Sequence, residues 1–358
     1  MSLVDLQPLP VAAVCDRLAA HEFKGWFYGD SIGFEGLVAA ADFLKDGRWI
    51  DFSHGFFRAW ATRRHPFQPD DNTAPGHVMC EMLERTGDEV LREAVLDLAH
   101  HLRSRRKIGN VSVTFEDTLR SLRQPYGGIE LSKEQRLLMQ DPGAGVWLDC
   151  MHFDAPFYAH LSRIDPQGGW DSIALEEILA YRALLFDEVT GTYCHYWLEK
   201  LGRAQIPGWG RGQGWALLGM LDVLKFCGNL PRAHELTKQA QSLAARMADY
   251  QLSNGNWHCM VHEPRSGPEA STAAFMATAF FRGMKQGTLP RSLKGAADKA
   301  FDAMVSNLDK DGNLRGVSAA VMSALVDEHY WNVPLDRIVP WGQGPVLTAI
   351  AAREAFYT

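Results

Sequence analysis

The 358 residues are 46% hydrophobic and 11% aromatic, enough apolar surface for a large core, which excludes a disordered or fibrous chain. The formal net charge of -7 is spread in mixed sign, and RSRRK at 103–107 is the only dense basic run, so nucleic acid is not an expected partner. No stretch holds eighteen uncharged apolar residues and the opening MSLVDLQPLP has an early acid and no basic leader, so neither a membrane span nor export is expected.

From the amino end onward one theme recurs. An irregular piece with glycine or proline leads into an apolar helix rich in small residues, and a more charged amphipathic helix follows. The apolar helices are expected to begin at GFEGLVAAADFL from Gly33, APGHVMCEML from Ala74 and WLDCMHFDAPFYAHL from Trp147, then at GQGWALLGMLDVL from Gly212, STAAFMATAFFRGM from Ser271 and GQGPVLTAIAAREAF from Gly342. Six units spaced roughly 40 to 70 residues apart are what a closed ring of helical hairpins shows. Strand-like pieces are short: TGTYCHYW from Thr190, NGNWHCMV from Asn254 and DGNLRGVS from Asp311 each pair a turn signal with alternating residues. The expected fold class is therefore all-α, a double ring of helices forming a single domain over 1–358, with these pieces opening on one face. The Pro- and Gly-bearing stretch 123–145 reads as a loop over the site. Cys15, Cys80, Cys150, Cys194, Cys227 and Cys259 lack CxxC spacing and lie mostly in apolar segments, as expected of reduced core thiols in a cytoplasmic protein.

If the loops at the amino ends of the inner helices share one cavity, its polar groups are Asp30, Asp70, Asp71, Asp149, His195, Arg211, Glu269 and Gln343. Its aromatics are Trp26, Tyr28, Trp147, Trp197, Trp209, Trp215 and Trp341. Acids, an arginine and many tryptophans around a helical cup suit a sugar, which presents both hydroxyls and apolar faces. The densest part is PGWGRGQGWALLGML from Pro207. Its glycines let the backbone approach a ligand, Trp209 and Trp215 offer flat walls, and the fork of Arg211 suits a carboxylate, either the substrate's or that of an acid it anchors. The same residues equally fit a loop between helices with Arg211 paired to a structural acid.

Asp149 follows two bulky apolar residues at a helix start. A carboxyl so walled keeps its proton more readily, as a general acid requires, but Asp is also a favoured N-cap. Asp70 and Asp71 fit a cap-and-turn pair as well as a site, and His195 among aromatics fits a satisfied structural residue. His258 and His262 lie four apart in a segment that reads as extended, where that spacing does not converge on a metal. GWGRGQG lacks the preceding strand and following acid of a dinucleotide loop.

In order along nearly the whole chain, the pieces GWFYGDSIGFEGL, DDNTAPG, VWLDCMHFDAPF, GTYCHYW, WGRGQGW, EASTAAFMATA and PWGQGPVLTAI resemble a known family. They are similar to the unsaturated rhamnogalacturonyl hydrolases of glycoside hydrolase family 105, with the unsaturated glucuronyl hydrolases of family 88 as close kin. VWLD with its downstream MxxxxPF, and WxRGxGW, are the specific pieces. The resemblance implies an (α/α)6 barrel, a general acid/base at Asp149, a second site aspartate at Asp71, and substrate contacts from His195, Arg211 and Trp215. Trp209, Trp26, Tyr28 and Trp147 stand at the same junctions and complete the expected binding walls.

The substrate so implied is a lyase-generated oligosaccharide whose terminal uronic acid, unsaturated galacturonyl in a pectic product, carries a C4=C5 double bond. Protonation at C4 by Asp149 and addition of water at C5 would release the remaining sugar, with no metal or organic cofactor needed. Asp71 would hold ring hydroxyls and help keep Asp149 protonated. One departure stands out: the family often reads His, any residue, Trp, Asp, whereas here Trp197 is followed by Leu198 and Glu199, so the subsite for the leaving sugar is expected to differ. Activity on unsaturated glucuronyl disaccharides, a sugar epimerase or isomerase on the same barrel, and a non-catalytic sugar binder are the other readings. Epimerases of that build line the cavity with several histidines, where this chain places only His195. The oligomeric state is not legible.

Overall fold

Helices that are apolar all round are satisfied only inside a second layer, and the chain is arranged accordingly. The computed structural model describes residues 9–23, 28–63, 67, 74–114, 122 and 124–358. Its inner helices are α2 (Tyr28–Leu44), α4 (Gly76–Thr86), α7 (Cys150–Ile164), α9 (Gly210–Cys227), α11 (Ala270–Lys285) and α14 (Pro340–Tyr357). Each packs on the next in chain order and α14 returns to α2, which closes the ring. The outer helices α3 (Arg48–Arg63), α5 (Glu89–Arg103), α8 (Trp170–Leu185), α10 (Ala233–Asp249) and α12 (Lys294–Ser306) each follow an inner helix and lie against it. This is the expected (α/α)6 barrel.

The sixth unit departs from the repeat. Its inner helix α14 is the last in the chain, and its outer partner is α1 (Val11–Ala19), which packs on both α14 and α2. Both ends of the chain therefore seal one seam. At that seam α2 and α14 meet backbone to backbone: a Cβ on Gly36 would lie 2.7 Å from the Gly344 Cα, and one on Gly344 would lie 2.3 Å from the Ile32 carbonyl oxygen. Closure at this distance requires glycine at both positions.

The extended pieces are short. β1 (Lys107–Ile108) and β2 (Val111–Ser112) form a hairpin, and β3 (Gly145–Trp147), β4 (Phe186–Asp187), β5 (Thr192–Leu198) and β6 (Arg203–Pro207) form an antiparallel sheet with β5 in its middle. Its register sets Trp147 opposite Tyr196 and Cys194 opposite Pro207. The stretch 123–145 is not all loop, as the sequence reading had it: it holds α6 (Lys133–Gln140). A capping box starts that helix, with the Ser132 hydroxyl taking the Gln135 amide and the Gln135 side chain taking the Ser132 amide. A further short helix, α13 (Glu328–Trp331), lies after the last extended piece. All six cysteines are buried, and none is in a disulfide. Among the described residues no helix is long and apolar enough to cross a membrane.

Candidate active site

The sheet and the inner helix starts place the site together. Leu148 donates its amide to the His195 carbonyl at 2.8 Å, which prolongs the pairing of β3 with β5 and sets Asp149 at the first turn of α7 beside the His195 ring. Asp149 has helical angles, φ -52 and ψ -35, and its side chain makes no capping hydrogen bond. Asp149 thus stands at the N-cap position of α7 but does not cap it through its side chain. Asp149 Oδ2 stands 3.4 Å from His195 Nε2 and, though buried, has no hydrogen-bond partner among the described residues. An unmet buried carboxylate oxygen costs about 1–3 kcal/mol, so it calls for an explanation that packing does not supply.

His195 is buried in β5, its ring centroid 4.3 Å from that of Trp209. Its Nδ1 is hydrogen-bonded to the hydroxyl of Tyr330 on α13. Burial pushes the Tyr330 phenol well above its usual 10. Tyr330 was not among the candidates, since the run DEHYW carries no pattern that points to a site; only its place over the ring does.

Arg211 has no exposed surface. Its Nη1 donates to Ser318 Oγ at 2.6 Å and Ser271 Oγ at 3.1 Å and lies 3.3 Å from Glu269 Oε1, while Nη2 reaches the Ala319 carbonyl at 3.5 Å. Trp209 lies under the guanidinium at 4.8 Å. Glu269 in turn caps α11 by accepting the Thr272 amide at 3.1 Å, and it also accepts the Ser318 amide at 2.9 Å. Of the two roles expected of Arg211, anchoring an acid is the one this geometry displays.

The aromatics divide. Trp341 donates its indole N–H to the Ser318 carbonyl at 3.0 Å, Trp147 donates its own to Ser323 Oγ, and the Tyr196 hydroxyl donates to the Ala324 carbonyl at 2.9 Å. Their polar tips thus hold the segment 318–324 across the end of the barrel. Tyr28, half-buried at the start of α2, lies 5.3 Å from the Trp341 ring, and burial raises its phenol, with Arg211 pulling the other way and Asp149 adding to the rise. Trp215 is wholly buried, 4.6 Å from Phe275 and 5.5 Å from Phe153, and so belongs to the core beneath the site rather than to an open wall. Trp197 is half-buried opposite Ala204. Asp30 is buried in the first turn of α2.

Gln343 proves to be a tie to the extended piece before its helix: it accepts the Leu314 amide at 3.0 Å and donates to the Gly312 carbonyl. Gln213, in the same GQG setting, does likewise with the amide and carbonyl of Tyr193. Glu199 turns to Arg106 and to the Ala144 amide at 3.4 Å. Trp26, Asp70 and Asp71 lie outside the described residues. Among the described residues no three His, Cys, Asp or Glu side chains gather in a way that could hold a metal ion.

A closed helical double ring with an unmet carboxylate, a histidine, an anchored arginine and tryptophans at one end has the build of an (α/α)6-barrel carbohydrate enzyme. A sequence profile of Glycosyl Hydrolase Family 88 matches residues 12–357, and the chain belongs to that family. It is thus an enzyme, a glycoside hydrolase, and the resemblance read from the motifs is borne out. Over 355 residues it is 23% identical to the unsaturated rhamnogalacturonyl hydrolase YesR of Bacillus subtilis, covering 95% of this chain and 94% of that one. The structure is similar to a glycoside hydrolase of family 105 from C. acetobutylicum, with a TM-score of 0.80, 19% identity, and coverage of 96% and 99% of the two chains. It is also similar to a possible member of family 105 from Klebsiella pneumoniae, with a TM-score of 0.81, 18% identity, and coverage of 100% and 96%. At such identities the two structures speak for the fold.

Proposed function

We propose that this enzyme removes a 4,5-unsaturated uronic acid from the non-reducing end of lyase-generated oligosaccharides by hydrating the C4=C5 enol ether. The observation that carries the reading is Asp149, whose buried oxygen has no hydrogen-bond partner among the described residues and faces His195 at the end of the barrel. The protonated carboxyl gives its proton to C4, and the C4=C5 electron pair forms the new C–H bond. Positive charge then rests on C5 and the ring oxygen. Water adds its oxygen at C5 and yields a proton to the Asp149 carboxylate, which ends as it began. The hemiketal opens at the bond between C5 and the ring oxygen, and the hemiacetal left at C1 expels the aglycone. One carboxyl suffices, where displacement at C1 ordinarily takes two. Asp71 is proposed to hold ring hydroxyls, and the half-buried Tyr28 to offer apolar surface to the sugar, whereas Trp209 is buried beneath Arg211 and His195.

The proposed substrate is an unsaturated galacturonyl end of a pectic fragment, which the motifs of family 105 and the likeness to an unsaturated rhamnogalacturonyl hydrolase support. Unsaturated glucuronyl disaccharides are the second reading, favoured by the family 88 profile. Six buried cysteines outside any disulfide support a reducing compartment, the cytoplasm, as its place of work. The test is to incubate the protein with lyase digests of pectic and glycosaminoglycan polymers and follow the ultraviolet absorbance of the double bond. The expected result is its loss from the unsaturated galacturonyl products. Loss from glycosaminoglycan disaccharides alone would move the assignment to the second reading, and no loss from any digest would refute both.

A further inference from the structure

We propose that Tyr330 is a positioning residue of this site: its hydroxyl fixes which nitrogen of His195 carries the proton, and so what His195 presents to Asp149. The inference rests on the proton chemistry proposed for Asp149.

His195 meets a different partner at each nitrogen. Nδ1 is bonded to the Tyr330 hydroxyl, and Nε2 faces Asp149 Oδ2 at 3.4 Å. Tyr330 has no exposed surface, and burial raises its phenol well above the usual range, so at neutral pH it remains O–H. Among the described residues the Tyr330 hydroxyl has no hydrogen-bond partner but His195 Nδ1, so donating there is what satisfies its buried proton. The proton of a neutral imidazole is then on Nε2, the nitrogen that lies 3.4 Å from Asp149 Oδ2.

This direction matters for a general acid. With Nε2–H facing it, the proton of Asp149 has no base to go to within the imidazole and remains for C4. Once it is given, the same N–H stabilises the carboxylate that forms. The opposite tautomer would turn Nε2 into an acceptor that competes with the substrate for that proton.

The phenol is held in place from both sides. Tyr330 donates its amide to the Asp327 carbonyl at 2.9 Å. Neighbouring His329 is hydrogen-bonded to the Val321 carbonyl at 3.1 Å, takes the Tyr126 amide at 3.2 Å and stacks on the Tyr126 ring at 4.8 Å. The Arg265 guanidinium lies 3.9 Å over Trp331. The other titratable groups facing Tyr330 and His195 are Asp149 from α7, Tyr196 from β5, Cys259, and Asp327 with His329 at α13.

The experiment compares the parent with Tyr330→Phe, which keeps the ring and removes only the donor. The ring nitrogens of His195, assigned in 15N-labelled protein against His195→Gln, report the tautomer without any substrate. The expected result is a proton on Nε2 in the parent and a shift towards Nδ1–H in the Phe variant. On an unsaturated uronyl disaccharide kcat should fall roughly 10- to 100-fold with KM within about twofold, and the pH–rate profile should move. Either an unchanged tautomer, or unchanged kcat and pH profile in an active parent, would overturn the proposal. So would a proton on Nδ1 in the parent, a result available even if the Phe variant does not fold. A parent that turns over no unsaturated uronyl sugar would instead refute the proposed function, while the tautomer comparison still decides the role of Tyr330.

Discussion

Arg211 has no exposed surface: its Nη1 donates to Glu269, Ser271 and Ser318, while its Nε has no hydrogen-bond partner among the described residues. Losing one partner of a buried ion pair ordinarily costs about 3–5 kcal/mol, because the other charge is left stranded. Arg211→Lys keeps the charge but replaces a planar fork by a point donor. The expected outcome is a lower thermal midpoint and turnover reduced at least about tenfold, since Ser318 and the cap of α11 both depend on the fork. Parental turnover and midpoint in the Lys variant would show that any cation there suffices. The pairing with an acid was legible in the sequence as one of two roles. That Trp147 and Trp341 use their indole N–H groups on 318–324 was not, because their partners lie far along the chain and include a backbone carbonyl, which no side-chain pattern marks. Tyr330 was hidden for a related reason: its importance comes from where α13 sits, not from the residues beside it.

Among the elements, the seam between α2 and α14 is the most exacting. Gly344→Ala would set a methyl carbon 2.3 Å from the Ile32 carbonyl oxygen, which belongs to backbone and cannot swing aside. We expect a loss of about 1–3 kcal/mol or more, read as a lower denaturation midpoint, whereas Gly295→Ala, with nothing near its Cβ, should be neutral or stabilising. Equal stability in both variants would show that the ring does not close at that contact. The six inner helices were legible because each carries a long apolar run beside glycine or proline; the widest miss is α2, expected from Gly33 and found from Tyr28. α6 was missed because a turn-rich composition outweighed the capping signature at Ser132 and Gln135. The two GQG segments read as helix starts, with Gln343 as a cavity group, and the structure shows why they recur: each glutamine ties an extended piece to the helix that follows it.

The whole molecule is a ring that its own ends complete, since α1 supplies the outer partner that α14 lacks. No local repeat shows this, because α1 precedes the first unit and its partner closes the last. The ring gathers the starts of six inner helices, and with them the acid on which the proposed chemistry turns. Asn has nearly the shape of Asp, and Asp149 makes no capping bond to lose, so Asp149→Asn should leave thermal unfolding almost unchanged. The decisive measurement is the turnover of an unsaturated uronyl disaccharide, and of its saturated counterpart, by the parent and by Asp149→Asn. The parent should consume the unsaturated sugar and leave the saturated one, and the variant should be slower by roughly two to four orders of magnitude. Parental rates in a folded Asp149→Asn, or equal consumption of the saturated sugar, would contradict hydration by this carboxyl.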